Sequence, residues 1–269
     1  MKKLVIVSAL LIVVLSFFQS CEIQSFNGTW AQSVSNNNDS IIFKSPLRFY
    51  DTNTRLQYSI CNDTKNIYVY IKVTEKMAQL KILRSGLLLK IDTLGKHTYQ
   101  KSILYPIIGK KGAKPVPMIS EKDWDVFVSR FSYDHSFMKI TGFSSYTDDE
   151  IPIKNENGIS VSLTWDRFDV LLYKATIPIS QIISTRKTVN DSSMTIGFSF
   201  YMKALVDAAK EKQQSAGTTT ADSRYQENQM KRNNAERGNN QLTPQNDQQT
   251  YLFNSRSFQF NYITAVKPN

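Results

Sequence analysis

From residue 41 onward, apolar and polar residues alternate in short runs, the period of half-buried strands rather than of helices. Leu56, Tyr58 and Ile60 alternate with Gln57, Ser59 and Cys61, the polar run Asn62 to Asn66 supplies a turn, and Ile67, Val69, Ile71 and Val73 share one face of the return strand. This is the pattern of a hairpin. A second pair has Ile159, Val161, Leu163 and Trp165 on one face, a turn at Asp166 to Asp169, and a return run from Val170 that Pro178 ends. Met194, Ile196, Phe198, Phe200 and Met202 share a face, as do Phe258, Phe260 and Tyr262. Many short strands separated by turn residues predict an all-β chain folded as an antiparallel β-sandwich.

Two short helices interrupt the alternation. Glu75 to Ser85 carries Met77, Leu80 and Leu83 at helical spacing, and Gly86 suits its C-terminal cap. Ser120 and Asp123 form a capping pattern, after which Trp124, Phe127, Val128 and Phe131 fall on one helical stripe. Between Asp207 and Gln249 only Tyr225, Met230 and Leu242 are large and apolar. A segment so polar buries too little surface to offset its ordering entropy, so 207–249 is expected to be one long disordered insertion within a single domain.

The start of the chain reads differently. Lys2 and Lys3 precede an apolar run from Leu4 to Phe18, followed by Gln19-Ser20-Cys21, the layout of an export signal over 1–20. The run is shorter than the roughly 20 residues that cross a bilayer. Phe18 is unsuited to the ordinary signal peptidase, whereas Ser20-Cys21 matches the end of a lipoprotein signal. Cys21 is therefore the expected lipid attachment site, the anchor its only contact with the membrane, and the outer membrane of the cell envelope the expected location. Residues 21–40, rich in Asn, Ser and Gln, read as a polar tether, and 41–269 as the sandwich domain.

Composition narrows the chemistry. With 33 Lys and Arg against 23 Asp and Glu the chain is basic, and it stays at +8 once the two signal lysines are removed. Lys96, Lys101, Lys110, Lys111 and Lys114 fall in a stretch without acids, read as a solvated loop facing an anionic surface, with no nucleic-acid partner expected. Two Cys exclude a disulfide scaffold, and if Cys21 carries lipid, Cys61 is a buried small hydrophobe. His97 and His135 stand 38 residues apart, and no zinc, P-loop, dinucleotide or nucleophile-elbow motif occurs. No catalytic residue, metal ligand or cofactor is expected, and the chain is not expected to be an enzyme. Asp148, Asp149 and Glu150 have the oxygen density for calcium without the spacing of a known loop, and read as a solvated acidic turn.

Several segments resemble carbohydrate-binding module family 9 and the related DOMON-like sandwiches. LQYSICNDTKNIYVYIKVTE at 56–75 is similar to their opening hairpin, and GLLLKID at 86–92 to the next strand. YKATIPISQI at 173–182 is similar to a strand ending in Ile-Pro, with Lys174 where the family often has Glu, and TIGFSF at 195–200 to the strand that follows. The resemblance implies a sandwich and a carbohydrate ligand, and carries over no binding residue. The best candidate read from the residues themselves is Trp165, its ring a sugar platform at a strand end, with Asp166 and Arg167 placed to bond hydroxyls. The competing reading puts Trp165 in the core. Two functions are therefore expected: a non-catalytic lipoprotein binding a glycan, or an adaptor contacting another envelope protein.

Overall fold

The computed structural model describes residues 23–31, 47–93, 98–107, 126, 131, 135–155, 158–183, 193–205 and 250–266. One sheet has seven strands in the order β1 (Ser25–Asn27), β13 (Arg256–Ile263), β12 (Thr195–Met202), β6 (Leu87–Asp92), β7 (Lys101–Tyr105), β8 (Phe137–Thr141) and β9 (Glu150–Pro152). The other runs β10 (Ser160–Trp165), β11 (Leu171–Pro178), β5 (Asn66–Val73), β4 (Leu56–Asn62) and β2 (Thr29–Trp30), with β3 (Phe49–Asp51) also pairing β4. The alternating residues pair as expected: β4 with β5 and β10 with β11, both antiparallel, each turning its apolar set inward. Rings bridge the two sheets, Tyr58 of β4 lying 5.2 Å from Phe260 of β13 and 5.9 Å from Phe200 of β12. The all-β sandwich expected from the alternation is the observed fold.

Its sheets are mixed rather than wholly antiparallel, and the exceptions come from a stretch expected to be a tether. Within 23–31, β1 runs parallel to β13 and β2 parallel to β4, so this segment completes both sheets. Gly28, between the two strands, allows the close approach. Its N–H donates to the Ile263 carbonyl at 2.6 Å, and a Cβ there would lie 2.5 Å from that oxygen and 2.8 Å from the Ala265 nitrogen. The remainder of 21–40, with Cys21, lies outside the described residues, as do most of 93–120, Trp124, His97 and the insertion 207–249.

Between β5 and β6, α1 (Lys76–Ser85) crosses from one sheet to the other. The stripe expected from Met77, Leu80 and Leu83 is displaced: the buried residues are Ala78, Gln79, Lys81, Ile82 and Leu83, while Met77 and Leu80 are only partly covered. Two polar side chains occupy the face that an apolar pattern would claim, because each finds backbone acceptors there. Gly86 stops the helix at φ +75° and ψ 159°, an extended mirror conformation open to glycine rather than the left-handed helical one, and a Cβ there would meet the Pro106 carbonyl at 2.7 Å. Of the second expected helix, Val126 and Phe131 are described and helical, and Phe131 is buried as its stripe requires. A short α2 (Ile179–Ile182), starting directly after Pro178, and a helical turn at 250–253 complete the described elements.

The strand registers bring three segments to one end of the sandwich. Asp51 pairs with Leu56, Leu171 with Val73, and Trp165 with Leu171, so the turns 52–55 and 166–170 and the start of α1 lie side by side. Asn53 joins them to the other sheet, donating to the Ser257 carbonyl at 2.8 Å and accepting from Arg256 at 3.0 Å.

Candidate functional site

The turn between β10 and β11 is built by Asp166. Its Oδ1 accepts the backbone N–H of Phe168 at 2.9 Å and of Val170 at 3.0 Å, while its own N–H donates to the Val170 carbonyl. Asp169 takes the left-handed conformation at φ +58°, which a short polar side chain tolerates. Both the backbone N–H and the Oδ1 of Asp166 are therefore engaged in shaping the turn.

Trp165 is half-buried. Its ring meets Phe131 edge to face at 5.6 Å and 87°, and its indole N–H donates to Gln79 Oε1 at 3.3 Å. Gln79 is completely buried and in turn donates to the carbonyls of Val73 and Asp169. The expected platform ring is thus fastened to α1 and the core. Arg167, by contrast, is exposed, with its guanidinium carbon 4.7 Å from the centre of the Phe168 ring.

Phe168 is the residue that the sequence reading missed. It is 71% exposed, the most of any large hydrophobic residue described, and sits at the tip of a turn braced by five polar contacts to Asp166 and Gln79. The signal was present: a large aromatic ring inside Asp-Arg-Phe-Asp has no strand period to satisfy and no reason of packing to be there.

Across the first turn of α1 stands a second exposed ring, Tyr50 of β3, at 52%. Its hydroxyl donates to Glu75 Oε1 at 3.4 Å, and partial burial followed by the Glu75 charge raises its pKa. Glu75 also holds Arg55 at 2.7 Å, and the next residue, Lys76, reaches Asp169 at 3.4 Å. Tyr50 and Phe168 therefore flank the same helix start, separated laterally by about three inter-strand spacings, roughly 15 Å. Arg55 and Arg256 place guanidinium carbons 4.3 and 5.4 Å from the ring centre of buried Tyr251, whose hydroxyl donates to the Thr54 carbonyl. Beneath them Lys81, fully buried, donates to the carbonyls of Tyr251 and Leu252 at 2.8 and 2.9 Å and to that of Asn254. Burial, then the Arg256 charge, lowers its pKa to about 8.

Elsewhere Cys61 and His135 are engaged in structure. The Cys61 thiol is buried and pushed up to about 12 by desolvation and the nearby Asp63 charge, so no thiolate forms near neutrality. His135 is buried, stacked on Phe131 at 4.0 Å, with its Nδ1–H donating to the Phe131 carbonyl. Asp148, Asp149 and Glu150 are exposed, and among the described residues no group of three or more acidic, His or Cys side chains is placed to hold a metal ion.

No family model matches the chain, and no curated protein matches it in sequence. Among solved structures it is similar to a carbohydrate-binding module of family 9 from Caldicellulosiruptor kristjanssonii, at 11% identity in complex with glucose and 10% in complex with cellotriose. Each superposition has a TM-score of 0.31 and covers 69% of this chain, against 81% and 79% of the module. A Bacteroides uniformis protein provisionally described as carbohydrate-binding is similar at 9% identity and a TM-score of 0.34, over 68% of this chain and 84% of its own. Similarity at this level carries no argument about the site.

Proposed function

We propose that the protein is a non-catalytic lipoprotein of the cell envelope that binds a glycan at the α1 end of the sandwich. The observation that supports this reading is the exposed Phe168 ring on a braced turn. A sugar ring is held largely by dispersion between its C–H groups and a flat aromatic surface, which works only if the surface is exposed and already fixed in place. Tyr50, on the far side of the α1 start, offers a second ring at a spacing suited to an oligosaccharide, and Arg55, Glu75, Lys76 and Arg167 lie between or beside the two as partners for hydroxyls. Of the residues expected to bind ligand, Arg167 keeps that role, Phe168 takes the platform role from Trp165, and Asp166 positions the turn. Lipidation of Cys21 and residence at the outer membrane complete the proposal, on the export pattern of the first 21 residues.

A glycan array probed with the full-length protein and with Phe168→Ala tests the binding. Loss of the wild-type signal in the variant, with an unchanged thermal transition, is the expected result. Equal signals would overturn it, and absence of any wild-type binding would favour the adaptor role. Separately, Cys21→Ala should shift the protein from the membrane to the soluble fraction, and an unlipidated native N-terminus in the intact mass would remove the anchor from the proposal.

A further inference from the structure

We propose that the ligand of this end is an acidic saccharide, whose carboxylate or sulfate is met by Arg167 beside the Phe168 ring, with Arg256 adding to the attraction. The inference rests on the glycan reading above and names the class of glycan. It follows from how the charges at this end are used. Asp166 accepts two turn amides at Oδ1, and Asp169 faces Lys76. Glu75 is taken by Arg55 and the Tyr50 hydroxyl. Asp51 accepts the N–H and hydroxyl of Thr54 at 2.7 and 2.6 Å. Every carboxylate of these segments thus has a partner, and among the described residues two guanidinium groups face no acidic side chain.

Arg167 is the first. It lies along an exposed ring and makes no hydrogen bond or ion pair among the described residues, so its fork of N–H donors is open to solvent at the point where a sugar would stack. Arg256 is the second: its Nη1 donates to the Asn53 amide oxygen, and among the described residues its Nε is buried without an acceptor and no acidic side chain pairs with it. Lys81 beneath adds a further cation, held by carbonyls and lying 5.4 Å from the centre of the Tyr251 ring. A binding end with surplus positive charge, on a chain that carries +8 after signal removal, steers anions toward it and leaves a neutral sugar with donors but no charge complement.

Affinity electrophoresis of the full-length protein tests this, using gels containing polygalacturonate, alginate or heparin set against methyl-esterified polygalacturonate and laminarin. Stronger retention by at least one acidic polymer, weakened by salt, is expected. Arg167→Gln should lower that affinity about three- to fivefold, the range for one exposed charge pair. Arg256→Gln should lower it as well, with its thermal transition measured alongside because Asn53 loses a partner. Phe168→Ala should abolish retention on all gels. Equal or stronger retention by the neutral polymers, unaffected by Arg167→Gln, would overturn the acidic inference and leave glycan binding intact. Retention by acidic polymers that survives Phe168→Ala would be ion exchange and would overturn it too. No retention on any gel would overturn the glycan reading itself.

Discussion

At the scale of single residues, neighbours three positions apart have opposite tasks. Trp165 contributes its ring to Phe131 and its N–H to Gln79, whereas the Phe168 ring is exposed and meets the Arg167 guanidinium. Trp165→Ala is therefore expected to cost roughly 2 to 4 kcal/mol, somewhat below the loss for a wholly buried aromatic. Phe168→Ala should leave the thermal midpoint within a degree or two of wild type, and a large drop would mean that the ring is structural. Trp165 was legible as a strand residue because it continues the alternation of Val161 and Leu163. Which of its faces is covered was not, because that depends on Gln79 and Phe131, 86 and 34 residues away in sequence. Phe168 was hidden for the opposite reason: a turn residue belongs to no period, and only its anomaly marks it.

At the scale of elements, the long strands were readable and the short ones were not. β4, β5, β10 and β11 each present six to eight residues, enough for alternation to show. β1 and β2 have three residues and two, and owe their existence to partners at 261–263 and 61–62. Gly28→Ala tests how firmly they are held. The added methyl meets backbone atoms that cannot swing aside, so a loss of about 1 to 3 kcal/mol and earlier proteolysis between 23 and 31 are expected. An unaltered digestion pattern would mean that the segment contributes little. The helix face was misjudged on similar grounds, since Gln79 and Lys81 are inward only because carbonyls from 73, 169 and 251–254 await them. Lys81→Met would strand the acceptors that close α1 onto the return from the insertion. About 2 to 4 kcal/mol of stability should go, with faster hydrogen exchange at 250–254 as the local sign.

At the scale of the whole molecule, the core is unusually phenolic, and this determines how the protein should fail at high pH. Burial raises Tyr68 and Tyr105 to about 12, and holds Tyr58, Tyr173, Tyr251 and Tyr262 higher still. In the unfolded chain these phenols ionise near 10. Above that pH the unfolded state has released protons that the folded state retains, so their contribution is intact below about 10 and is lost as pH climbs through the raised values. Tyrosinate absorbance should therefore appear in step with the loss of sheet circular dichroism, and full ionisation near 10 with the sheets intact would contradict the burial. Tyr173 refines the test: its hydroxyl is completely buried and has no hydrogen-bond partner among the described residues, in contrast to Tyr105, which donates to the His135 carbonyl at 2.9 Å. Tyr173→Phe removes a desolvated group that gains nothing in return, and should leave stability at neutral pH unchanged or raise it by about 1 kcal/mol. Tyr105→Phe strands a carbonyl and should lower it by about the same amount. If the two substitutions behaved alike, the hydroxyl of Tyr173 would have to be bonded in solution, and the interior between β11 and β7 would be wetter than its apolar neighbours allow.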